Sequence, residues 1–192
     1  MTLGEGKRKV LMLIDEYSSG GTITPDKDID AKMIDFFDLA QKNVAQYKKI
    51  IRRFSPGEGE HQPDAACHGG MLYPAPADFS QVFRVWKDGK KTGCYPWIGK
   101  SILMPPADAL RVTVEYFAVP ATIPDNAEDS YPFEVDEDAA ACMPYFVAAQ
   151  QLVVDLILDP APLLELYDRM VASLDLRLPG GGGGGIRQGL YR

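Results

Sequence analysis

From Ile29 onward the apolar residues recur in steps of 4, 3, 4, 4, 3 and 4, through Met33, Phe36, Ala40, Val44 and Tyr47 to Ile51. A stripe that regular is the spacing of one face of a helix. It predicts a long amphipathic helix over roughly 26–53. Thr24-Pro25-Asp26 opens it with a capping hydroxyl, a first-turn proline and an acid at the positive end of the dipole. Ser55-Pro56-Gly57 closes it. The last turn then carries Lys48, Lys49, Arg52 and Arg53. These cations suit the negative end of the helix dipole, and they form a candidate basic patch for a channel or an interface. With Phe36 on the buried face, Phe36→Asp is expected to unfold the subunit by placing an unpaired charge in apolar surroundings.

Around this helix the hydrophobic period changes twice. Leu3, Val10, Leu13, Ile14 and Tyr17 fall on one helical face and predict a short helix, ended by Ser18-Ser19-Gly20-Gly21. Gly57 to Ala77 has little periodicity and reads as loop. Phe79 to Lys87 is β-branched and aromatic, and Asp88-Gly89 is a hairpin turn signal. Thr92 to Ile98 and Ser101 to Met104 read as short strands. Leu110, Val112, Val114, Tyr116 and Ala118 alternate with Arg111, Thr113 and Glu115, which is strand spacing. Asp136-Glu137-Asp138 then starts an almost wholly apolar helix over Ala139 to Leu158, in which Pro144 marks a kink or the true first turn. Leu163, Tyr167, Met170 and Leu174 form a last amphipathic helix.

The expected fold class is therefore α+β: a helical bundle core of about four helices with an inserted small antiparallel β module and a flexible Gly-rich C-terminal arm. The helical core spans 1–59 and 134–178, the β module 60–133 and the arm 179–192. A chain of 192 residues has room for one domain with such an insertion.

Composition narrows the function. Lys and Arg number 20 against 27 Asp and Glu, a net charge of −7. That excludes a general binder of nucleic acid or of membrane surfaces. Cys67, Cys94 and Cys142 are odd in number and far apart, which fits a reducing compartment rather than a disulfide framework. The start, Met1 to Lys9, is polar and basic, so no secretory leader is expected. The longest apolar run, Ala139 to Ala149, is too short for a membrane span.

No catalytic constellation emerges. Gly180 to Gly185 is not a phosphate loop, because Ile186-Arg187 stands where Lys and Ser or Thr are needed. Gly99-Lys100-Ser101 misses that pattern too, with Cys94 where it requires glycine. His61, Cys67, His68 and Cys94 match no zinc spacing, and adjacent Cys67 and His68 point apart in an extended chain. The carboxylates at Asp125 to Asp129 and Glu134 to Asp138 fall in a Pro-rich loop and at a helix start, where solvation and capping account for them. Trp86, Tyr95, Trp97, Tyr116 and Phe117 lie in expected strands and read as a packed sheet face rather than a sugar or base platform. No catalytic residue, metal ligand or cofactor is expected, and alanine at His61, Cys67, His68 or Cys94 should be tolerated.

The tail carries the remaining signal. Six glycines resist ordering and make a flexible tether. The tether ends in Ile186, Leu190 and Tyr191 with Arg187 and Arg192. Apolar and aromatic groups at such a tip read as an arm that docks into another chain and orders only there.

Several segments carry a family likeness. They are Met1-Thr2-Leu3-Gly4-Glu5, the helix Val10 to Tyr17, Phe36-Phe37-Asp38-Leu39-Ala40-Gln41, and the run Val112 to Ile123. Phe133 to Ala140 then leads through Pro144-Tyr145-Phe146-Val147-Ala148-Ala149 into the helix Leu163 to Leu174. In this order, over most of 1–174, the chain resembles the head–tail connector (adaptor) proteins of tailed bacteriophages. The resemblance implies a non-enzymatic virion protein of the neck, made in the host cytoplasm, that becomes a ring on the portal, expected to be a dodecamer. Its partners would be the portal protein and a stopper or tail-completion protein, with DNA only passing through the channel. The arm residues Ile186, Arg187, Leu190, Tyr191 and Arg192 would reach the portal. An acidic subunit suits such a channel, because binding phosphates would slow transit. The competing reading is a carbohydrate-binding or hydrolytic module with its site in the β insertion; a third is a regulatory helical domain that does not assemble.

Overall fold

The computed structural model describes residues 1–17, 27–59, 61–67, 69–93, 95–155 and 159–174. Its order is α1 (Leu3–Tyr17), α2 (Lys27–Tyr47), β1 (Ile50–Phe54), β2 (Ala65–Cys67), β3 (Gly70–Pro74), β4 (Phe79–Lys87), β5 (Lys90–Thr92), β6 (Trp97–Ile98), β7 (Ser101–Met104), α3 (Pro106–Ala109), β8 (Val112–Ala118), α4 (Glu137–Asp155) and α5 (Ala161–Ala172).

Four helices form one layer. α1 is opened by a reciprocal cap: the Thr2 N–H donates to Glu5 Oε2 (3.0 Å) and the Glu5 N–H to Thr2 Oγ1 (3.4 Å). The cap's backbone hydrogen bond holds the Glu5 carboxyl below its ordinary range. α4 packs against α1, α2 and α5, which is why its sequence is apolar on nearly every side. Pro144 sits inside it, not at its first turn. The layer closes over Leu3, Val10, Met33, Phe37, Val44, Met143, Val147 and Leu163, all at most 1% exposed. The connection 119–136 adds Ile123 and Phe133 to this core. It also bonds back to the chain start, where the Leu3 and Gly4 N–H groups donate to the Tyr131 and Asp129 carbonyls at 2.9 Å.

The β part is larger than the sequence implies, and the fold class needs correcting. Among the described residues eight strands form two four-stranded antiparallel sheets, ordered β1-β8-β4-β5 and β2-β3-β7-β6. They share a second core drawn from both: Phe54, Phe79, Val85, Val114 and Tyr116 from one, Tyr73, Ile102 and Met104 from the other. A molecule with two sheets and their own core is a mixed α+β structure, not a helical bundle core with a small insert. Two misread segments account for the difference. Ile50–Phe54 continues the helical spacing but is strand β1, paired with β8 from Ile50↔Ala118 to Phe54↔Val114; tertiary pairing overrides a local period. The stretch read as loop, 57–77, contains β2 and β3, which at three and five residues are too short to show alternation.

α2 therefore ends at Tyr47, with no basic residue in its last turn, and Tyr47 itself is 48% exposed. Its buried row is Met33, Ile34, Phe37, Ala40, Gln41, Val44 and Ala45. The expected face is rotated, and Phe37 rather than Phe36 is the sealed ring; Phe36 is half-buried. Elsewhere the hairpin signal holds. Asp88 and Gly89 both have positive φ, 51° and 74°, the geometry of a two-residue turn that matches strand twist. The expected helix-boundary signals Ser18-Ser19-Gly20-Gly21 and Thr24-Pro25-Asp26 lie outside the described residues. Among the described residues no helix is long and apolar enough to cross a membrane.

Candidate functional site: the seam between helices and sheet

Two of the four cations expected to form a basic patch, Lys48 and Arg52, lie instead where the two halves join. Arg52 stands on β1 opposite Tyr116 on β8. Its Nη1 donates to Asp78 Oδ2 (2.6 Å) and its Nη2 to Glu134 Oε2 (2.9 Å). The Tyr116 hydroxyl donates to Asp78 Oδ1 at 3.0 Å, and the Ala121 N–H to Glu134 Oε2 at 3.0 Å. Burial works against the Arg52 charge, but Glu134 and Asp78 outweigh it and hold the guanidinium's pKa up. Burial first, and then Asp78, push the Tyr116 phenol up to about 12.

α2 continues the seam. Lys48 Nζ lies 2.6 Å from Asp138 Oδ1 and 2.9 Å from Asp136 Oδ2. The Asp138 hydrogen bond raises the Lys48 pKa, and Lys48 in turn lowers that of Asp138. Gln41, fully buried, donates from Nε2 to the Ala121 carbonyl (3.3 Å) and accepts the Glu134 N–H on Oε1 (2.8 Å). Asp38 accepts the Ile123 N–H on Oδ1 (3.0 Å) and Lys42 Nζ on Oδ2 (2.6 Å). The connection 119–136 is thus bonded on one side to α2 and on the other to the sheet.

Of the four cations expected to form a patch, three are ion-paired. Lys48 and Arg52 lie in the seam. Arg53 is 73% exposed but reaches the Glu115 carboxylate, 7% exposed, with Nε at 2.9 Å and Nη2 at 2.6 Å from Oε1. Lys49 has no carboxylate partner among the described residues. It lines a groove of about 380 Å3 with Lys42, Gln46, Gln81, Phe117 and Val119, between α2 and the β4–β8 pair. The arm residues Ile186, Arg187, Leu190, Tyr191 and Arg192 lie outside the described residues.

A second cluster sits on the β part. Asp108 Oδ2 accepts the Tyr95 hydroxyl at 2.7 Å and lies 2.8 Å from Lys87 Nζ. Lys87, then Tyr95, hold the Asp108 carboxyl below its usual range. This trio borders a groove of about 480 Å3 that also touches Gly70, Thr92 and Leu103. Local sequence gave no signal for the trio, because its members come from β4, a loop and α3.

The other flagged residues divide plainly. His61 Nδ1 lies 3.1 Å from the Pro74 carbonyl, and its ring packs 4.9 Å from Phe54. Cys67 ends β2; His68 and Cys94 lie outside the described residues. Among the described residues no three His, Cys, Asp or Glu side chains gather as a metal site. Cys142 is buried in α4 and burial pushes its thiol up. The aromatics pack on neighbours: Trp97 on Phe79 at 4.8 Å, Phe117 on Phe83 at 5.1 Å, Tyr116 on Phe54 at 5.7 Å.

Chemically, the seam pairs carboxyl groups with basic side chains. Lys48 holds the Asp138 carboxyl below its usual range, the opposite of what a general acid needs. Its geometry suits holding two layers in one fixed relation. No protein-family model matches the chain, and no curated protein matches it in sequence.

Proposed function

We propose that the protein is a structural subunit of the neck of a tailed bacteriophage: a connector that forms a ring between the portal and the stopper or tail and continues the DNA channel. One observation carries this reading beyond the sequence resemblance. Helices from both ends of the described chain close over a single core, while the whole β part leaves from between α2 and α4 and is bonded back by the seam. Such a subunit offers two rigid, differently built surfaces held in a fixed relation, which is what head-to-tail ring contacts require in order to close. The acidic balance of the chain suits a channel wall along which DNA slides.

The test is negative-stain imaging and light scattering of the purified protein, alone and mixed with portal rings. The expected result is a single subunit or weak association alone, and a ring seated on the portal in the mixture. A protein that stays a compact monomer and leaves every portal bare refutes the reading.

The carbohydrate reading rests on the Tyr95–Asp108–Lys87 groove, where a hydroxyl, a carboxylate and an ammonium converge beside apolar walls. Binding of an oligosaccharide that is lost in Tyr95→Phe would favour it over the connector.

A further inference from the structure

The helical layer has an open apolar groove of about 410 Å3 where α1, α4 and α5 meet. Met12 and Leu13 of α1, Pro144 and Tyr145 of α4 and Met170 of α5 line it, with Lys9 at its rim. Met12 is 66% exposed, and Leu166, one turn before Met170, is a second exposed apolar residue. Methionine and leucine walls adapt to varied apolar side chains. We propose that this groove is the docking site of the chain's own C-terminal tip, Ile186 to Arg192.

Three observations on this chain choose that occupant. The first is chemical fit. The tip alternates large apolar groups, Ile186, Leu190 and Tyr191, with cations, Arg187 and Arg192. The second is charge. Residues 119–174 hold eleven Asp and Glu and a single cation, Arg169, whereas 175–192 hold three Arg and one Asp. The three helices that build the groove, α1, α4 and α5, hold eight Asp and Glu against Lys7, Arg8, Lys9 and Arg169, a net negative field for a positive tip, and the exposed Glu137 lies one turn before Ala141 of the groove wall. The third is reach. Met170 lies four residues before Leu174, and only 175–185, eleven residues with six glycines, separate Leu174 from Ile186. A glycine-rich span of that length covers roughly 17–20 Å on average and about 36 Å when stretched. A tether this short holds the tip at an effective concentration on the order of millimolar, so weak apolar contacts suffice in cis. The inference stands apart from the connector reading. If both hold, the groove parks the arm until the portal competes for it.

The experiment places p-benzoylphenylalanine at position 191 of the full chain, irradiates it at low micromolar concentration, and maps the adducts by mass spectrometry. Benzophenone reacts readily with methionine. The expected adducts are at Met12, Tyr145 or Met170 within one chain, at a yield unchanged by tenfold dilution. The yield at Tyr145 and Met170 should fall at least fivefold in Met12→Lys, a change at an exposed position that leaves those two acceptors in place. Adducts scattered over the surface overturn the proposal. So does a yield that falls with dilution, because the occupant would then be the tip of a second copy. Neither result depends on ring formation on a portal, which imaging reads separately.

Discussion

Gly6 and Phe37 test the observed face of α2 more sharply than any single truncation. Phe37 is fully buried, and its ring lies 5.3 Å from Phe133. A Cβ built on Gly6 would stand 2.8 Å from Phe37 Cζ and 3.0 Å from Cε1. Gly6→Ala should therefore overpack the α1–α2 contact, at a cost of about 1–3 kcal/mol, offset by up to about 1 kcal/mol of helix propensity. The net expectation is a loss of about 1–2 kcal/mol, or a fall in Tm of roughly 2–8 °C for a chain of this size. Phe37→Leu alone loses the ring contact and costs about 1–3 kcal/mol. In the Phe37→Leu background the obstructing ring atoms are gone, so Gly6→Ala should be neutral or stabilising. Urea unfolding of the four proteins measures the coupling, expected at about 1–2 kcal/mol. If Gly6→Ala costs the same in both backgrounds within about 0.5 kcal/mol, Phe37 does not fill that space and the face is wrongly placed.

Phe36→Asp, on the half-buried neighbour, should fold and lose less stability than Phe37→Asp, which should not fold; circular dichroism of the pair decides. Arg52→Met leaves Asp78 and Glu134 without their cation and should cost about 1–2 kcal/mol in urea unfolding, a modest figure because Arg52 is 40% exposed and water screens the pair; an unchanged midpoint refutes the seam. Tyr116, raised from 10.0 to about 12 in the fold, keeps its proton more tightly folded than unfolded, so its stabilisation is complete below pH 10 and is lost as pH rises from 10 towards 12; Tyr116→Phe should flatten that alkaline loss in pH-dependent melting. Gly89→Ala forces a side chain onto φ 74° at the β4–β5 turn and should cost about 1–2 kcal/mol in thermal melting; a gain would mean the turn is of another type.

The elements legible in the sequence are those whose cause is local. α1 runs over Leu3–Tyr17, β4 over Phe79–Lys87 and β7 over Ser101–Met104, as their periods predict, because a side-chain period of 3.6 or 2 and an Asp-Gly turn act within a few residues. β1 was hidden for the opposite reason. Tyr47 to Ile51 is a helical step, and only pairing with β8, sixty residues or more further on, makes Ile50–Phe54 extended. The adjacent Phe36 and Phe37 fit a stripe almost equally well. What separates them is the position of Phe133 and Gly6, which no window along α2 contains.

The seam is illegible in the same way, apart from one local signal. Arg52 meets Asp78 and Glu134 across 26 and 82 residues, and Lys48 meets Asp138 across 90. A run of cations seen without those partners looks like a free patch. Gln41, however, sits inside an apolar row, between Phe37 and Val44. A buried amide must find partners for both its oxygen and its nitrogen. Helix interiors leave no backbone groups open for it, so its partners are either side chains or a non-helical segment crossing α2. The Ala121 carbonyl and the Glu134 N–H, at the two ends of the connection, are that segment. Because the Glu134 side chain also holds Arg52, the polar residue in the apolar row marks where the helical layer and the sheet are joined.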